Sequence, residues 1–169
     1  GLFTRYPRTT QAIMKICKYL PIEHIFLNTR IPDKESVLRF IAETCMRDGV
    51  VEDAEMLYGG MRKREQTMST GVGNGIGFPH ATSWETKKPA VLLIRLAKAI
   101  DFEALDALPV DVILAMVIPE NKTHLHLQLL AGASRLCQHP EFMEAVRRAE
   151  NSKMLWNEIQ RLEDKMAFH

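Results

Sequence analysis

Two long aliphatic segments restrict this chain to folds with a sheet that is buried on both faces. Residues 90–96 read AVLLIRL and residues 110–119 read VDVILAMVIP, so apolar side chains occupy consecutive positions rather than alternate ones. A strand with one solvated face alternates between apolar and polar residues, whereas a strand covered on both sides is apolar almost throughout. Helical patterns flank both segments, and the sequence therefore predicts α/β layers.

Amphipathic helices are predicted before and after these strands. A short strand-like run at residues 24–27 precedes two helices that Asp33 and Asp53 are suited to cap, the first ending at Gly49 and the second running towards Arg64. After the second aliphatic strand, apolar residues recur at helical spacing over 123–138, 140–150 and 152–166. Helices are therefore predicted on both sides of the strands along the chain.

The first 20 residues are predicted to be a helical N-terminal extension to a domain that spans residues 21–169. Apolar residues at helical spacing run from Thr10 to Leu20, and Pro21 ends the pattern. An appendage, a dimerisation element and a linker are all compatible with this segment. The oligomeric state is left open.

Composition excludes several classes of function. The 169 residues carry 22 Lys and Arg against 21 Asp and Glu, a formal net charge of +1, which provides no general field to attract nucleic acid or an anionic membrane. The apolar run at 110–119 is about half the roughly 20 residues that a membrane-spanning helix needs. Three cysteines, with no C-x-x-C pair, suggest neither a disulfide framework nor a cysteine zinc site. A single domain in a reducing cytoplasm is expected.

A glycine-rich segment, residues 69–80 with the sequence STGVGNGIGFPH, is the most unusual part of the chain. Its glycines allow positive φ angles and close approach of a ligand, but it lacks the lysine of a P-loop and the spacing of a dinucleotide site. Pro79 favours an extended Phe78, so a short strand is expected to deliver the His80 imidazole at its end. From the residues alone, His80 is a candidate nucleophile, base, ligand or exposed loop residue.

Two further histidines, His124 and His126, fall in the first predicted turns of the helix at 123–138. They project roughly 200° apart at about 100° per residue, so they cannot both face one site. His126 lies at the side of the apolar arc and is predicted to be structural, whereas His124 lies beside the free N–H groups of the first turn. A zinc site of His80, His124 and a third ligand is a weaker alternative, because no carboxylate is spaced to join them. No metal is predicted.

Read in order, several motifs resemble enzyme IIA of the bacterial phosphotransferase system, in its mannitol, fructose and nitrogen-regulatory class. The resemblance covers roughly residues 20 to 165. The double histidine of residues 123–126 looks more like the nitrogen-regulatory branch than the mannitol branch. The motifs are Arg64-Glu65, Ser69-Thr70-Gly71, Gly73-Asn74-Gly75-Ile76, Pro79-His80, Asp101-Phe102, Pro109-Val110-Asp111 and Asn121-Lys122-Thr123-His124-Leu125.

This resemblance implies a phosphotransferase that works through a phosphohistidine, without a cofactor. His80 would accept a phosphoryl group from a small histidine phosphocarrier protein, with Arg64 and His124 beside it. Thr70 and Asn74 are candidates for orienting hydrogen bonds to the phosphate or to the partner. The fold implied is a single α/β domain with a mixed central sheet and helices on both faces. The onward partner would be a IIB component or a regulated target protein.

The sequence departs from the usual family pattern at several positions. Gly77 and Phe78 stand where small and aliphatic residues are common, Ala81 stands where glycine often follows the histidine, and the N-terminal helix has no obvious counterpart. Three functions are compatible with this pattern: a regulatory phosphoryl carrier, which is preferred, a sugar-specific IIA component, and a non-catalytic interaction module with the same fold.

Overall fold

The computed structural model describes residues 14–167, which form a six-stranded mixed sheet between two layers of helices. The strands are β1 (Ile25–Thr29), β2 (Gly71–Gly73), β3 (Ile76–Gly77), β4 (His80–Ser83), β5 (Ala90–Ile100) and β6 (Val110–Pro119). The helices are α1 (Lys34–Arg47), α2 (Ala54–Thr67), α3 (Thr123–Gln138), α4 (Pro140–Arg148) and α5 (Ser152–Ala167).

Strand β6 organises the sheet. Its neighbour on one side is β5, which pairs antiparallel with it, and β1 adds parallel to the far edge of β5. On its other side β6 pairs in parallel first with β3, where Ile76 lies opposite Val112, and then with β4, where His80 lies opposite Met116. The predicted mixed sheet is confirmed. This arrangement places His80 at the start of β4, beside the middle of β6.

Each face of the sheet buries a separate apolar core. Alternate β6 residues such as Leu114 and Met116 pack with α3, α4 and α5, whereas Ala115 and Val117 between them pack with α1 and α2. Nearly every β6 side chain is therefore buried, which is why the strand is apolar except at Asp111. The predicted covering of both faces by helices is confirmed.

Most helix boundaries follow from local capping. The Asp33 carboxylate accepts the Ser36 backbone N–H at 2.8 Å, and the Asp53 carboxylate accepts that of Met56 at 3.0 Å, so both predicted N-caps are confirmed. Helix α2 runs to Thr67, three residues further than predicted. The three helices at the end of the chain lie where the periodicity predicted them.

The predicted N-terminal helix lies partly outside the described residues. Within its described part, the chain forms only a short 3-10 helix, Ile16–Tyr19, and not an α-helix. The Glu163 carboxylate of α5 accepts the backbone N–H groups of Ile16 and Cys17, at 2.6 and 2.9 Å, and Pro21 follows closely. Ile16 and Leu20 are buried in the same core as α3 and α5, so these residues pack as part of the domain.

Candidate functional site

The glycine segment folds into a small hairpin that leads into His80. Strands β2 and β3 pair antiparallel, Phe78 and Pro79 follow, and His80 is the first residue of β4. The sequence predicts a strand with the imidazole at its end, whereas His80 is the first residue of its strand. The reason is that β6 accepts β3 and β4 in succession, and the Met116 N–H donates to the Pro79 carbonyl at 3.0 Å between them. The His80 side chain is half-buried there.

A hydrogen bond to the backbone fixes the chemical form of the His80 ring. The Nδ1 atom lies 2.8 Å from the Phe78 carbonyl oxygen. A carbonyl oxygen only accepts, so Nδ1 carries the proton and Nε2 of the neutral ring holds the free electron pair. Burial lowers the pKa of His80, and the nearby charge of Arg64 lowers it further, against the opposing effect of the bond to Phe78. His80 therefore presents Nε2 as a neutral nucleophile near pH 7.

Thr70 fastens the loop that carries His80. Its side chain is buried, its hydroxyl donates to the Glu65 carboxylate, and the same hydroxyl accepts the Phe78 N–H at 3.2 Å. The Thr70 N–H also donates to Glu65, at 3.1 Å. These bonds run from Glu65 through Thr70 to Phe78, whose carbonyl holds His80. The structure thus places the predicted site residue Thr70 behind His80, in contact with the loop backbone.

A buried ion pair lies beneath this loop. Lys34 Nζ is 2.8 Å from the Glu65 carboxylate, and the two side chains are 13% and 4% exposed. Lys34 also lies over the Phe102 ring, 4.7 Å from its centroid. No role for Glu65 or Lys34 was predicted from the sequence. A signal for Glu65 was present, because it continues the buried stripe of Leu57 and Met61 at intervals of four residues.

Arg64 lies in the last turns of α2 and is half-buried. Its Nη1 donates to the Met68 carbonyl at 2.8 Å, beyond the end of the helix. Its positive charge is one of the causes that lower the pKa of His80, so the guanidinium lies within electrostatic range of the ring. The structure therefore brings the predicted residues Arg64 and His80 into one neighbourhood.

Asn74 lies at the turn of the glycine hairpin, away from His80. It occupies the β2–β3 turn with a φ of 59°, in the left-handed region. Its backbone carbonyl accepts a hydrogen bond from Arg147 Nη2 at 2.9 Å. Ile76 and His80 lie opposite β6 residues four positions apart, which is roughly 13 Å along a strand, and Asn74 is further still. The structure does not bring Asn74 to the His80 ring.

The histidine packed against His80 is His126. The two ring centroids are 6.0 Å apart with an interplanar angle of 75°. His124 is exposed in the first turn of α3. The contact between His126 and His80 was not predicted from the sequence, and the role of His124 beside His80 stays a prediction. The flank of α3 at the edge of its apolar arc faces His80, and residues two positions apart on a helix project in nearly opposite directions.

Metal-binding clusters and membrane-spanning helices are both absent from the residues that the structure describes. Over residues 14–167, no three His, Cys, Asp or Glu side chains are grouped so that they could hold a metal ion. In the same range, no helix has both the length and the apolar character that a membrane crossing requires.

Comparison with known proteins shows which proteins this chain resembles. The family model for the "Phosphoenolpyruvate-dependent sugar phosphotransferase system, EIIA 2" matches residues 18–162. The chain is 32% identical over 141 residues to the PTS system fructose-specific EIIA component of Haloferax volcanii, covering 83% of this chain and 92% of that protein. It is also 32% identical over 123 residues to a nitrogen regulatory protein of Pseudomonas aeruginosa, covering 73% and 80%.

Solved structures share the fold. The nitrogen regulatory protein IIA-Ntr from Neisseria meningitidis superimposes with a TM-score of 0.79 at 24% identity, over 85% of this chain and 98% of that one. IIA mannitol from Escherichia coli gives a TM-score of 0.69 at 21% identity, over 82% and 97%. A complex of enzyme IIA-mannitol with phosphorylated enzyme IIB-mannitol from Escherichia coli contains a similar chain, with a TM-score of 0.67 at 20% identity, over 82% and 94%.

Proposed function

This chain belongs to the EIIA 2 family of the phosphoenolpyruvate-dependent sugar phosphotransferase system, and from that membership we propose that it is a phosphoryl carrier with His80 as its acceptor. The observation that carries the proposal is the hydrogen bond between His80 Nδ1 and the Phe78 carbonyl. It leaves Nε2 as the nucleophilic nitrogen. The donor is a phosphohistidine on a small histidine phosphocarrier protein.

The transfer step mainly requires that His80 Nε2, the phosphorus atom and the donor's histidine nitrogen are aligned. The Nε2 electron pair of His80 attacks phosphorus, the bond from phosphorus to the donor's histidine nitrogen breaks, and that nitrogen recovers its electron pair. The Nδ1 proton stays on His80, held by Phe78. A neutral imidazole is a competent nucleophile, and a phosphohistidine divides the overall transfer into two reversible steps.

Charge on the phosphoryl oxygens is balanced by groups near His80. Arg64 uses one N–H on the Met68 carbonyl, and its remaining donors are available to phosphoryl oxygens. The contribution predicted for His124 rests on its place in the first turn of α3, where free N–H groups favour an anion. Thr70 acts on the loop rather than on the phosphate, through its bonds to Glu65 and Phe78.

The role that fits this chain best is regulatory, of the nitrogen-regulatory type, in the cytoplasm. The motif Thr123-His124-Leu125-His126 supports this branch, and a phosphoryl group of charge roughly −2 would change binding to a target protein. The alternative is a sugar-specific component that passes the group to a IIB protein. It is supported by the likeness to a fructose-specific component.

Intact mass spectrometry tests the proposal. The protein is incubated with phosphoenolpyruvate, enzyme I and a histidine phosphocarrier protein, and one acid-labile phosphoryl group that maps to His80 is expected. The control is His80→Asn, whose side-chain amide can still donate to the Phe78 carbonyl but offers no ring nitrogen. Labelling of the Asn variant, or no labelling of the unmodified chain with several carriers, would overturn the proposal. The second outcome would favour the interaction module.

A further inference from the structure

The loop that carries His80 is anchored on a buried carboxylate. Both hydrogen bonds of the Phe78 N–H end on Thr70, one on its carbonyl and one on its hydroxyl, each at 3.2 Å. Thr70 in turn directs both of its own donors, the N–H and the hydroxyl, to the Glu65 carboxylate. The Phe78 carbonyl lies 2.8 Å from His80 Nδ1. The His80 ring is therefore linked, through two residues, to the side chain of Glu65.

Lys34 fixes the direction of these hydrogen bonds. Its ammonium lies 2.8 Å from the Glu65 carboxylate, and a buried carboxylate keeps its charge when an opposite charge pairs with it. An ionised carboxylate only accepts, so the one hydroxyl proton of Thr70 points to Glu65. The hydroxyl oxygen is then left to accept the Phe78 N–H. A protonated Glu65 could donate instead, which would free the Thr70 proton to turn against that N–H.

Lys34 also supports the loop from below, through Phe102. Its ammonium lies over the Phe102 ring, 4.7 Å from the centroid. That ring packs against the glycine segment so closely that a Cβ on Gly77 would lie 2.8 Å from Phe102 Cε1. Gly77 immediately precedes Phe78 in the chain. The ion pair thus contacts both supports of the loop, the polar one at Thr70 and the apolar one at Phe102.

We propose that the Lys34–Glu65 ion pair positions His80 for phosphoryl transfer. It keeps the Phe78 carbonyl on His80 Nδ1, so that Nε2 stays the free nitrogen. This rests on the proposed function. Neither side chain of the pair needs to touch the phosphoryl group, because an imidazole that turns away, or that takes its proton on Nε2, presents no electron pair to phosphorus. Glu65 and Lys34 are therefore positioning residues.

Glu65→Gln tests the pair with almost no change of shape. The amide offers one oxygen and one NH2 group, so one of the two Thr70 donors then meets another donor. The unmodified chain and the variant are labelled with 15N-histidine, and the two nitrogen shifts of His80 are recorded at about pH 8, above the ordinary histidine pKa of about 6.5. The pKa of His80 is lowered, and loss of the Glu65 charge lowers it further, so the ring is neutral in both proteins.

The tautomer and the transfer rate should change together. In the unmodified chain we expect a protonated Nδ1 and an unprotonated Nε2 on His80. In Glu65→Gln the two shifts should move towards each other, because the proton divides between the two nitrogens. In rapid-quench assays with a phosphorylated histidine carrier protein, the rate at saturating carrier should fall by about 10- to 100-fold, with the half-saturating carrier concentration unchanged. Lys34→Arg keeps the charge and should retain most of the rate.

Two double variants separate positioning from stability. Lys34→Met with Glu65→Gln leaves no unpaired charge beneath the loop, so it replaces the single variant if that variant does not fold, and it should show the same mixed tautomer. Lys15→Met with Asp164→Asn removes an exposed ion pair between the start of the described chain and α5. It should leave the transfer rate and the His80 shifts unchanged. Thermal unfolding shows that each variant is folded at the assay temperature.

The outcomes separate this positioning role from the proposed function. If the folded variants without the pair keep a single tautomer and the unmodified rate, the role of Lys34 and Glu65 is wrong and the proposed function stands. A higher half-saturating carrier concentration with an unchanged saturating rate also overturns the role, because the pair would then act on carrier docking. If the unmodified chain takes up no phosphoryl group, the proposed function fails, and the positioning role in transfer fails with it.

Discussion

The bonds of Thr70 make Thr70→Val a sharp test of how the His80 loop is held. Valine keeps the branched shape and removes the hydroxyl, which donates to the Glu65 carboxylate and accepts the Phe78 N–H. Phe78 keeps a second acceptor, because its N–H also lies 3.2 Å from the Thr70 carbonyl. The loss therefore falls mainly on the carboxylate of Glu65, whose side chain is only 4% exposed.

The magnitude follows from the charge on that acceptor. A hydrogen bond to a charged group contributes about 1.5–3 kcal/mol, and the extra methyl group of valine returns at most ~0.8 kcal/mol through burial. Glu65 retains the Thr70 N–H and Lys34 as partners. The free energy of unfolding should therefore fall by about 1–2 kcal/mol, or roughly 2–8 °C in melting temperature for a chain of this size.

Urea unfolding followed by tryptophan fluorescence measures this change, since Trp84 and Trp156 lie in different parts of the fold. The matched control is Thr70→Ser, which keeps the hydroxyl and loses only a methyl group. It should lie between the valine variant and the unmodified chain. A valine variant as stable as the unmodified chain, or a serine variant destabilised as much as valine, would refute the proposed role of the hydroxyl.

Two other predictions concern pH and packing. Because the pKa of His80 is lowered, its neutral form persists below the ordinary histidine value of about 6.5, so phosphoryl uptake should stay level down to that pH and fall only below it. Arg64→Met removes one cause of the lowering and should move the fall to higher pH; an unmoved profile in rapid-quench assays would exclude that effect. Gly71→Ala would place a Cβ 2.8 Å from Ala104 Cβ and 3.0 Å from its Cα, and should cost about 1–3 kcal/mol. Gly59 lies in α2 with open space around it, so Gly59→Ala should stabilise the folded protein by about 0.5–1 kcal/mol. If the urea midpoints of the Gly59→Ala and Gly71→Ala variants shift in the same direction, the packing described at these two glycines is wrong.

Local features of the sequence determined the elements of the fold. The apolar run of β6, interrupted only by Asp111, predicted a strand covered on both faces, because a strand with one solvated face alternates between apolar and polar residues. Asp33 and Asp53 marked the starts of α1 and α2, because a capping bond joins residues only three apart. The glycine segment and His80 adjoin in the chain, and the family resemblance that these residues carry predicted His80 as the acceptor.

Only the tertiary structure decided which residues meet at His80. Periodicity relates His124 to His126 by an angle, but the packing of α3 on the sheet chooses which of them faces His80. Asn74 is only six residues from His80, yet the pairing of β3 and β4 along β6 separates them. Lys34 and Glu65 lie far apart in sequence and form one buried pair. These contacts join distant parts of the chain, and no local pattern specifies such distances.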